Sequence, residues 1–365
     1  MKRYTTSELK PGMIVGSPIF NAQKQLILES DTILTKQLIS RLNFYHIYAV
    51  YIKDHPEEAS ILTPEPAPMP VIQSRSQKIQ QQPEFQHFKE EYDKEVSFFH
   101  ASLSRIITDT QGELNIDELL QETANLIPSG NSSLDLFDML HNMRQIDDSI
   151  YAHSMNVALI ARTLGGWLKL PEEDLQILTL CGLLHDVGKT ALAPKLLNKP
   201  EKYTEEDYIA MQQHPLLSFK ILKNYPIDMR IKNAALMHHE RCDGSGYPQK
   251  LKRSQIHDFA MIIAIADVYD AMTCARSYRK PLCPFQVIEA FEKDGLQKYH
   301  PKFILTFLEN IAYTYQHNRV LLNNGQTATI AYINKQRLTK PVIRFDDDTV
   351  IDMCDHKDLE IVSIV

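Results

Sequence analysis

The stretch LCGLLHDVGK, residues 180–189, is an apolar helical run that ends in two adjacent polar residues, His185 and Asp186. An ionised aspartate at the end of such a run costs free energy unless it is paired or bound to a metal. Neighbouring side chains on a helix point about 100° apart, so the histidine can bind one metal while the aspartate reaches or bridges a second. The run therefore predicts a buried helix with a metal site at its end.

A second signature, HHERCDGSGYP at residues 238–248, also follows an apolar run. A doubled histidine at such a place is poorly explained by packing, because each ring needs hydrogen-bond partners. Imidazole and carboxylate are the ligands that divalent first-row metals take when no thiolate is offered. Two such clusters indicate a site for several metals, of the kind that performs phosphoester chemistry.

Three further residues extend the candidate site, and each has a simpler interpretation. His153 taken alone is better explained as a structural or exposed histidine, and His214 as an ordinary histidine at a helix end. Asp267 closes the apolar run 261–266 and could be a buried aspartate held by the backbone or by a lysine. The full set of candidate ligands is His153, His185, Asp186, His214, His238, His239 and Asp267.

This set is large enough for two octahedral ions that share a bridging hydroxide. The absence of thiolates from it argues against a closed structural zinc site. It favours iron or manganese, although nickel, cobalt, copper or zinc could compete on affinity. Lys189 would share a helical face with Asp186 and could bind phosphate or assist a leaving oxygen. The alternative is an ordinary surface lysine after a glycine cap at Gly188.

The composition limits the class of protein. A formal net charge of −7 argues against binding to a nucleic-acid polymer, whose partners tend to be basic. The five cysteines form no CxxC pair, which fits a reducing compartment and predicts a cytoplasmic protein. No apolar run approaches the ~18 residues that a membrane-spanning helix needs. We expect no secretory signal behind Met1, because no apolar segment follows it.

The pattern along the chain predicts a mainly α fold with a small module at each end. Residues 1–53 carry strand and turn signals typical of a small α/β module, and proline and glutamine crowd residues 54–84, as in a linker. Helical periodicity starts near Pro83 and continues to about residue 315. Asn323-Asn324-Gly325 between apolar runs predicts a β-hairpin. We therefore divide the chain into 1–53, a linker 54–84, a helical segment 85–146, a catalytic domain 147–315 and a β module 316–365.

The candidate ligands together resemble those of the HD-domain metal-dependent phosphohydrolases, and the stretch 238–248 resembles the HD-GYP subfamily specifically. The resemblance runs from about residue 147 to 310 and implies a helical HD-type bundle. It implies all seven candidates as metal ligands, with Asp186 bridging the metals and acting in catalysis. A Glu that some members carry four residues before the first ligand histidine is Ser149 here, so we expect two metals and not three.

The resemblance also implies the substrate and its contacts. Members of the subfamily hydrolyse cyclic di-GMP to linear pGpG, and many continue to GMP. Lys189 would contact the phosphate or act near the leaving group. The other implied substrate residues are Gly244, Gly246, Tyr247 and Pro248 in the loop, and Arg276 and Arg279 at the phosphates. Tyr247 could equally just pack the loop.

Two alternatives remain open at this point. The same fold could hydrolyse another cyclic dinucleotide or a nucleotide. The protein could also be a catalytically weak receptor whose flanking modules contact a signalling partner, and a homodimer is compatible with the exposed helical faces. Turnover of a nucleotide panel by metal-loaded protein would separate these alternatives.

Overall fold

The computed structural model describes residues 2–20, 26–35, 38–39, 42, 47, 49–53, 79–108, 115–126, 133–143, 149–197, 199, 201–274 and 282–365. These residues fall into two compact units, Met1–Val71 and Ile72–Val365. Residues 54–78 of the predicted linker 54–84 lie outside the described residues. The described part contains no helix with the length and apolarity that crossing a bilayer requires.

The first unit contains two short antiparallel strand pairs. Strand β1 (Lys2–Thr5) pairs with β4 (Ala49–Ile52), and β2 (Ile19–Phe20) pairs with β3 (Leu26–Leu28). Its small core contains Val15, Leu34, Leu42, Val50 and Ile52. Residues 36–37, 40–41, 43–46 and 48 of this unit lie outside the described residues.

The second unit contains twelve α-helices among the described residues. They are α1 (Pro83–Thr108), α2 (Ile116–Asn125), α3 (Ser133–Met143), α4 (Ile150–Trp167), α5 (Glu172–Leu184), α6 (Pro194–Leu197), α7 (Glu205–Met211), α8 (His214–Leu222), α9 (Met229–Met237), α10 (Asp258–Thr273), α11 (Pro284–Lys298) and α12 (Pro301–Thr314). A short 3-10 helix, Val187–Ala191, follows α5. The predicted mainly α fold is confirmed.

Helix α4 lies at the centre of this unit and packs against α1, α5, α10 and α12. It begins at Ser149, whose hydroxyl accepts a hydrogen bond from the Ala152 amide and so caps the first turn. Helix α5 begins after Pro171 with three acidic residues in its first turn, which favour the positive end of the helix dipole.

Helices α4 and α5 approach each other closely at Gly182. A Cβ atom on Gly182 would lie 2.4 Å from Cα of Ala158, so a larger residue there would push the two helices apart. The other helix of this central group, α10, is buried on almost every side because residues 259–266 are all apolar. His153 and Asp267 lie on α4 and α10, and His185 directly follows α5.

The chain ends in a five-stranded antiparallel sheet with strand order β8-β7-β6-β5-β9. Its strands are β5 (Arg319–Leu322), β6 (Thr327–Tyr332), β7 (Val342–Phe345), β8 (Val350–Asp352) and β9 (Ile361–Ile364). The predicted hairpin joins β5 to β6, with Gly325 at φ +84° in its turn. Apolar side chains on this sheet belong to the same core as the helices, and β9 contacts α11.

Candidate metal centre

Six of the seven predicted ligands form two overlapping groups at the ends and inner faces of the central helices, and Asp267 lies beside a histidine of each group. His185 directly follows α5, and Asp186 precedes the 3-10 helix. His214 begins α8, and His238 and His239 directly follow α9. His153 lies on α4 and Asp267 on α10. Five separate segments of the chain therefore converge on one site.

Asp186 lies between the two groups. Its ligand atoms lie within 4.8 Å of those of His214, His238 and His239, and it forms a second such group with His153 and His185. Its Oδ1 atom is 3.1 Å from Nε2 of His214 and 3.7 Å from Nε2 of His238. Its Oδ2 atom is 3.2 Å from Nε2 of His185 and 3.6 Å from Nε2 of His153. Each carboxylate oxygen therefore faces a different group of imidazoles, which is the geometry of a bridging ligand.

Asp267 lies at the opposite side of the same space. Its Oδ1 atom is 3.2 Å from Nε2 of His153, and its Oδ2 atom is 3.9 Å from Nδ1 of His239. The carboxylate thus contacts one histidine of each group. Its ion-pair partners among the described residues are these two histidines and no lysine, so the lysine in the simpler interpretation, which also allowed the backbone, is not found there.

Backbone carbonyls fix the tautomers of three of the histidines. The Nδ1 atoms of His185, His214 and His238 lie 2.7, 2.7 and 3.0 Å from the main-chain oxygens of Gly182, Met211 and Ala235. A carbonyl oxygen can only accept, so each neutral ring carries its proton on Nδ1 and a lone pair on Nε2.

The Nε2 lone pairs of His214 and His238 face each other. Nε2 of His214 is 3.2 Å from Nε2 of His238 and 3.1 Å from Nε2 of His239. Nε2 of His185 and Oδ1 of Asp186 are buried and form no hydrogen bond with any part of the chain that the structure describes. Buried acceptors that face each other without donors are unfavourable, and a cation among them removes the conflict. The residues present therefore fit divalent metal.

The charges of the site agree with this arrangement. Burial lowers the pKa of His238 to about 4, and burial together with His238 holds the pKa of His239 well below its usual value. Burial alone would raise the pKa of Asp186, but His185, Lys189 and His214 together keep it well below the ordinary range. Neutral His238 and His239 and an ionised Asp186 at neutral pH are in the forms that bind metal. Burial alone would lower the pKa of His153, but Asp267 and Asp270 raise it to about 9, so a metal at this ring would have to displace a proton.

Lys189 and Gly188 complete the turn after the first signature. Nζ of Lys189 contacts Oδ2 of Asp186, with the side chain 20% exposed. A Cβ on Gly188 would lie 2.2 Å from the main-chain oxygen of His214. The hydroxyl of Ser218 accepts a hydrogen bond from the Gly188 amide at 2.8 Å and donates one to the His185 carbonyl at 2.9 Å. Ser218 thus ties the turn to α8, and no sequence signal marked it.

The loop after the double histidine folds back over His239. The ring of Tyr247 stacks on that of His239, with centroids 4.6 Å apart and an interplanar angle of 24°. Gly244 has φ +83°, and a Cβ on Gly246 would lie 2.4 Å from the His239 carbonyl oxygen. The peptide bond before Pro248 is cis. Gly246 and Tyr247 therefore lie against His239 at the edge of the metal site, and Gly244 and Pro248 belong to the same loop.

Two buried carboxylates that sequence reasoning missed support these residues. Glu240 accepts hydrogen bonds from the amides of Gln249 and Leu251, at 2.6 and 2.9 Å, and closes the loop. Asp270 accepts a 2.7 Å hydrogen bond from Nδ1 of His153. Glu240 directly follows the double histidine, and Asp270 lies three residues after Asp267, so both lie close to predicted ligands, but the sequence analysis gave neither of them a role.

Two predicted substrate residues cannot be located. Arg276 and Arg279 fall in the segment 275–281, which lies outside the described residues. Their assignment to the phosphates stays a prediction.

Comparisons with known proteins agree with the geometry. The HD domain family model matches residues 136–303. The chain is 30% identical over 295 residues to the cyclic di-GMP phosphodiesterase PA4108 of Pseudomonas aeruginosa, covering 77% of this chain and 69% of that protein. It is 32% identical over 178 residues to a cyclic di-GMP phosphodiesterase of Thermotoga maritima, with 48% of each chain covered.

A third relative carries a different substrate in its name. The chain is 34% identical over 161 residues to 3'3'-cGAMP-specific phosphodiesterase 2 of Vibrio cholerae, covering 44% of this chain and 31% of that protein. The chain thus spans about half of the Thermotoga relative and about a third of the Vibrio one. With its ligand set, its Gly-Tyr-Pro loop and these matches, the chain belongs to the HD-GYP subfamily of the HD-domain metal-dependent phosphohydrolases.

Proposed function

We propose that the protein hydrolyses cyclic di-GMP, giving linear pGpG and, after a second cut, GMP. The observation that carries the proposal is the position of Asp186 between two groups of imidazoles, one on each carboxylate oxygen. Two relatives are named as cyclic di-GMP phosphodiesterases. The relatives identify the substrate class, and the shared carboxylate supports the chemistry.

The seven candidate ligands would hold two divalent cations. Nitrogen and oxygen donors without thiolates favour iron or manganese, and Ser149, where a third metal would need a carboxylate, is occupied in capping α4. Such a pair, when bound, supplies an acidified water and stabilises charge on the phosphoryl oxygens. The chain's own residues position the substrate around it.

Lys189 has two tasks in this proposal. Its contact with Asp186 fixes the orientation of the shared carboxylate. Its partly exposed ammonium is also close enough to the site to bind a non-bridging phosphate oxygen or to support the departing 3′ oxygen. Arg276 and Arg279 would hold phosphate oxygens, because the planar guanidinium matches phosphate geometry.

The loop would form one wall of the substrate pocket. The stacking of Tyr247 on His239 holds its ring beside the predicted metals, and burial raises the pKa of its phenol, so that the hydroxyl stays a hydrogen-bond donor. Gly244, Gly246 and Pro248 would shape the backbone around a guanine base. Another cyclic dinucleotide is the second candidate substrate, since the Vibrio relative is named for 3'3'-cGAMP.

We also propose where in the cell the protein is found. All five cysteines are free, which supports the predicted cytoplasmic location. The division of the chain into five segments and an association with itself or with a signalling protein remain predictions.

The test measures turnover and metal on the same sample. The full chain is purified anaerobically, loaded with Fe²⁺ or Mn²⁺ and assayed with cyclic di-GMP, 3'3'-cGAMP, cyclic di-AMP and linear pGpG. We expect cyclic di-GMP to give pGpG, and Asp186→Ala to lose at least about 100-fold in rate, the order seen when a group that binds the transition state is removed. Asp346→Ala, an exposed carboxylate on the C-terminal sheet, is the matched control and should retain full activity.

Each other outcome points to a different function. Preferential turnover of 3'3'-cGAMP would make the second substrate the correct one. Tight binding of cyclic di-GMP by metal-loaded protein without any turnover would indicate a receptor. Full activity in the Asp186→Ala protein would overturn the assignment of the site.

A further inference from the structure

His153 is held differently from the other histidines of the site. His185, His214 and His238 each place Nδ1 against a main-chain carbonyl, which is neutral. Nδ1 of His153 instead donates to the Oδ2 atom of Asp270 at 2.7 Å. Among the described ligand histidines, His153 is thus the one whose Nδ1 lies within hydrogen-bond distance of a carboxylate.

Asp270 is fully buried where it contacts His153. Its side chain is 0% exposed, and its Oδ2 atom also accepts a weak hydrogen bond from Sγ of Cys274 at 3.4 Å. It lies on α10 three residues after Asp267, so both carboxylates project from the same face of that helix. A buried carboxylate is costly unless its partners are fixed, and the ring of His153 is one such partner.

The two carboxylates of α10 contact opposite nitrogens of the same ring. Oδ1 of Asp267 is 3.2 Å from Nε2 of His153, while Oδ2 of Asp270 is 2.7 Å from Nδ1. Asp270 therefore decides which nitrogen of His153 carries the proton and which one points into the site. A carboxylate in this position also makes the imidazole a stronger electron donor to a bound metal.

We propose that Asp270 is a positioning residue that makes the two cation positions unequal, so that the position served by His153, His185 and Asp186 binds its ion more tightly than the position served by His214, His238 and His239. The inference rests on the proposed metal-dependent function and adds an order of loading to it. The extra buried negative charge lies on the His153 side, where it attracts a cation across a short, poorly screened distance.

The test titrates Mn²⁺ into metal-free protein and follows it by calorimetry and by electron paramagnetic resonance. Wild-type protein should bind two ions with distinguishable affinities. Asp270→Asn keeps the shape and an acceptor oxygen but removes the charge, and Asp270→Ala removes both. We expect the tighter step to weaken about 10- to 100-fold, the usual effect of removing an outer partner of a ligand, with Ala more affected than Asn. The weaker step should change less than about 3-fold.

The control is Asp258→Asn, an exposed carboxylate in the first turn of the same helix, which should leave both steps unchanged. Circular dichroism checks that each variant is folded. If Asp270→Ala does not fold, the Asn variant still decides the matter, because the proposal requires it to lose affinity at one step only. Unchanged binding, or equal weakening of both steps, in a folded Asp270 variant would overturn the proposal.

The result of this experiment can reject the role of Asp270 without rejecting the proposed function, and the reverse also holds. It uses Mn²⁺ alone and needs no nucleotide. Cyclic di-GMP turnover by wild type together with unaltered metal binding in the Asp270 variants would reject only the role of Asp270. Two unequal steps that respond to Asp270 in a protein without turnover would reject only the enzymatic activity.

Discussion

Gly188, in the stretch 180–189, packs so closely against neighbouring backbone that it leaves no room for a side chain. A Cβ there would lie 2.2 Å from the His214 carbonyl oxygen and 2.3 Å from the Ser218 amide nitrogen, and both are backbone atoms that cannot rotate away. We expect Gly188→Ala to lower the free energy of unfolding by about 3 kcal/mol, the upper range for overpacking a core. Urea denaturation measures it.

Gly166 offers the matched control for that substitution. It lies in α4, and a Cβ atom on it would meet no described atom within 4 Å. Gly166→Ala should therefore be neutral or stabilise the protein by up to about 1 kcal/mol. Equal stability of the two variants would contradict the tight packing of the turn.

Glu95 should make the stability of the protein depend on pH. Burial raises the pKa of its carboxyl from 4.5 to about 7, and Glu122 adds to the effect while Lys94 opposes it. Between these two values the folded protein holds a proton that the unfolded chain releases, so the free energy of unfolding falls as the pH rises. We expect Glu95→Gln to remove this fall between pH 5 and pH 8, as measured by denaturation at each pH.

An exposed glutamate on the same helix is the control, because its substitution removes a carboxylate that is not buried. Glu84 is exposed at the start of α1, and Glu84→Gln should keep the pH dependence of the wild type. The same dependence of stability on pH in the wild type and in Glu95→Gln would show that Glu95 ionises normally.

At the scale of elements, the loop 240–248 depends on a single buried carboxylate. Glu240 accepts from two amides, and a hydrogen bond to a charged group contributes about 1.5 to 3 kcal/mol. Glu240→Ala should therefore speed hydrogen exchange at Gln249 and Leu251 by at least about 10-fold, as measured by mass spectrometry. Asp243→Ala, which removes an exposed acceptor for Ser245, should leave these two amides protected.

The elements themselves were largely predictable from local sequence. Apolar runs with polar ends indicated α5, α9 and α10, and the turn residues indicated the hairpin between β5 and β6. Ser149 stood out as a departure from a family pattern, and its capping role was not predicted. A serine directly before a helix is a common cap, so this role was within reach of the sequence.

The missed residues depend on contacts between distant elements. Asp270 meets His153, 117 residues away in the chain, and Ser218 meets His185, 33 residues away. A single sequence does not say how two helices are rotated against each other. It therefore predicts that Asp267 and Asp270 share a face of α10, but not which side chain of another helix Asp270 contacts. Ligands with a family motif were predictable, whereas their supporting partners required the packing of α4 against α10.

At the scale of the whole molecule, the site joins five segments that otherwise meet through side-chain packing. A cation that binds only the folded protein stabilises it by mass action, by about 2.7 kcal/mol at a concentration 100 times its Kd. We expect Mn²⁺ to raise the melting temperature by several degrees and a chelator to reverse the change, as followed by thermal denaturation.

The histidines provide the comparison for this measurement. His185→Ala should lose much of the shift in melting temperature, whereas His356→Ala, an exposed histidine of the C-terminal module, should keep it. A metal-induced shift that is the same size in both variants would mean that the ion binds elsewhere.

The close approach of Gly182 to Ala158 has a consequence for protein engineering. His153 lies on α4 and His185 directly follows α5. The spacing of these two helices is set by the contact between Gly182 and Ala158, which have the smallest side chains. Anyone who transplants the histidines and aspartates onto another helical scaffold would also have to copy this small-residue pair, since ordinary helix spacing would leave the imidazoles too far apart to share an ion. The transferable unit is therefore the helix pair with its glycine, and not the ligand set alone.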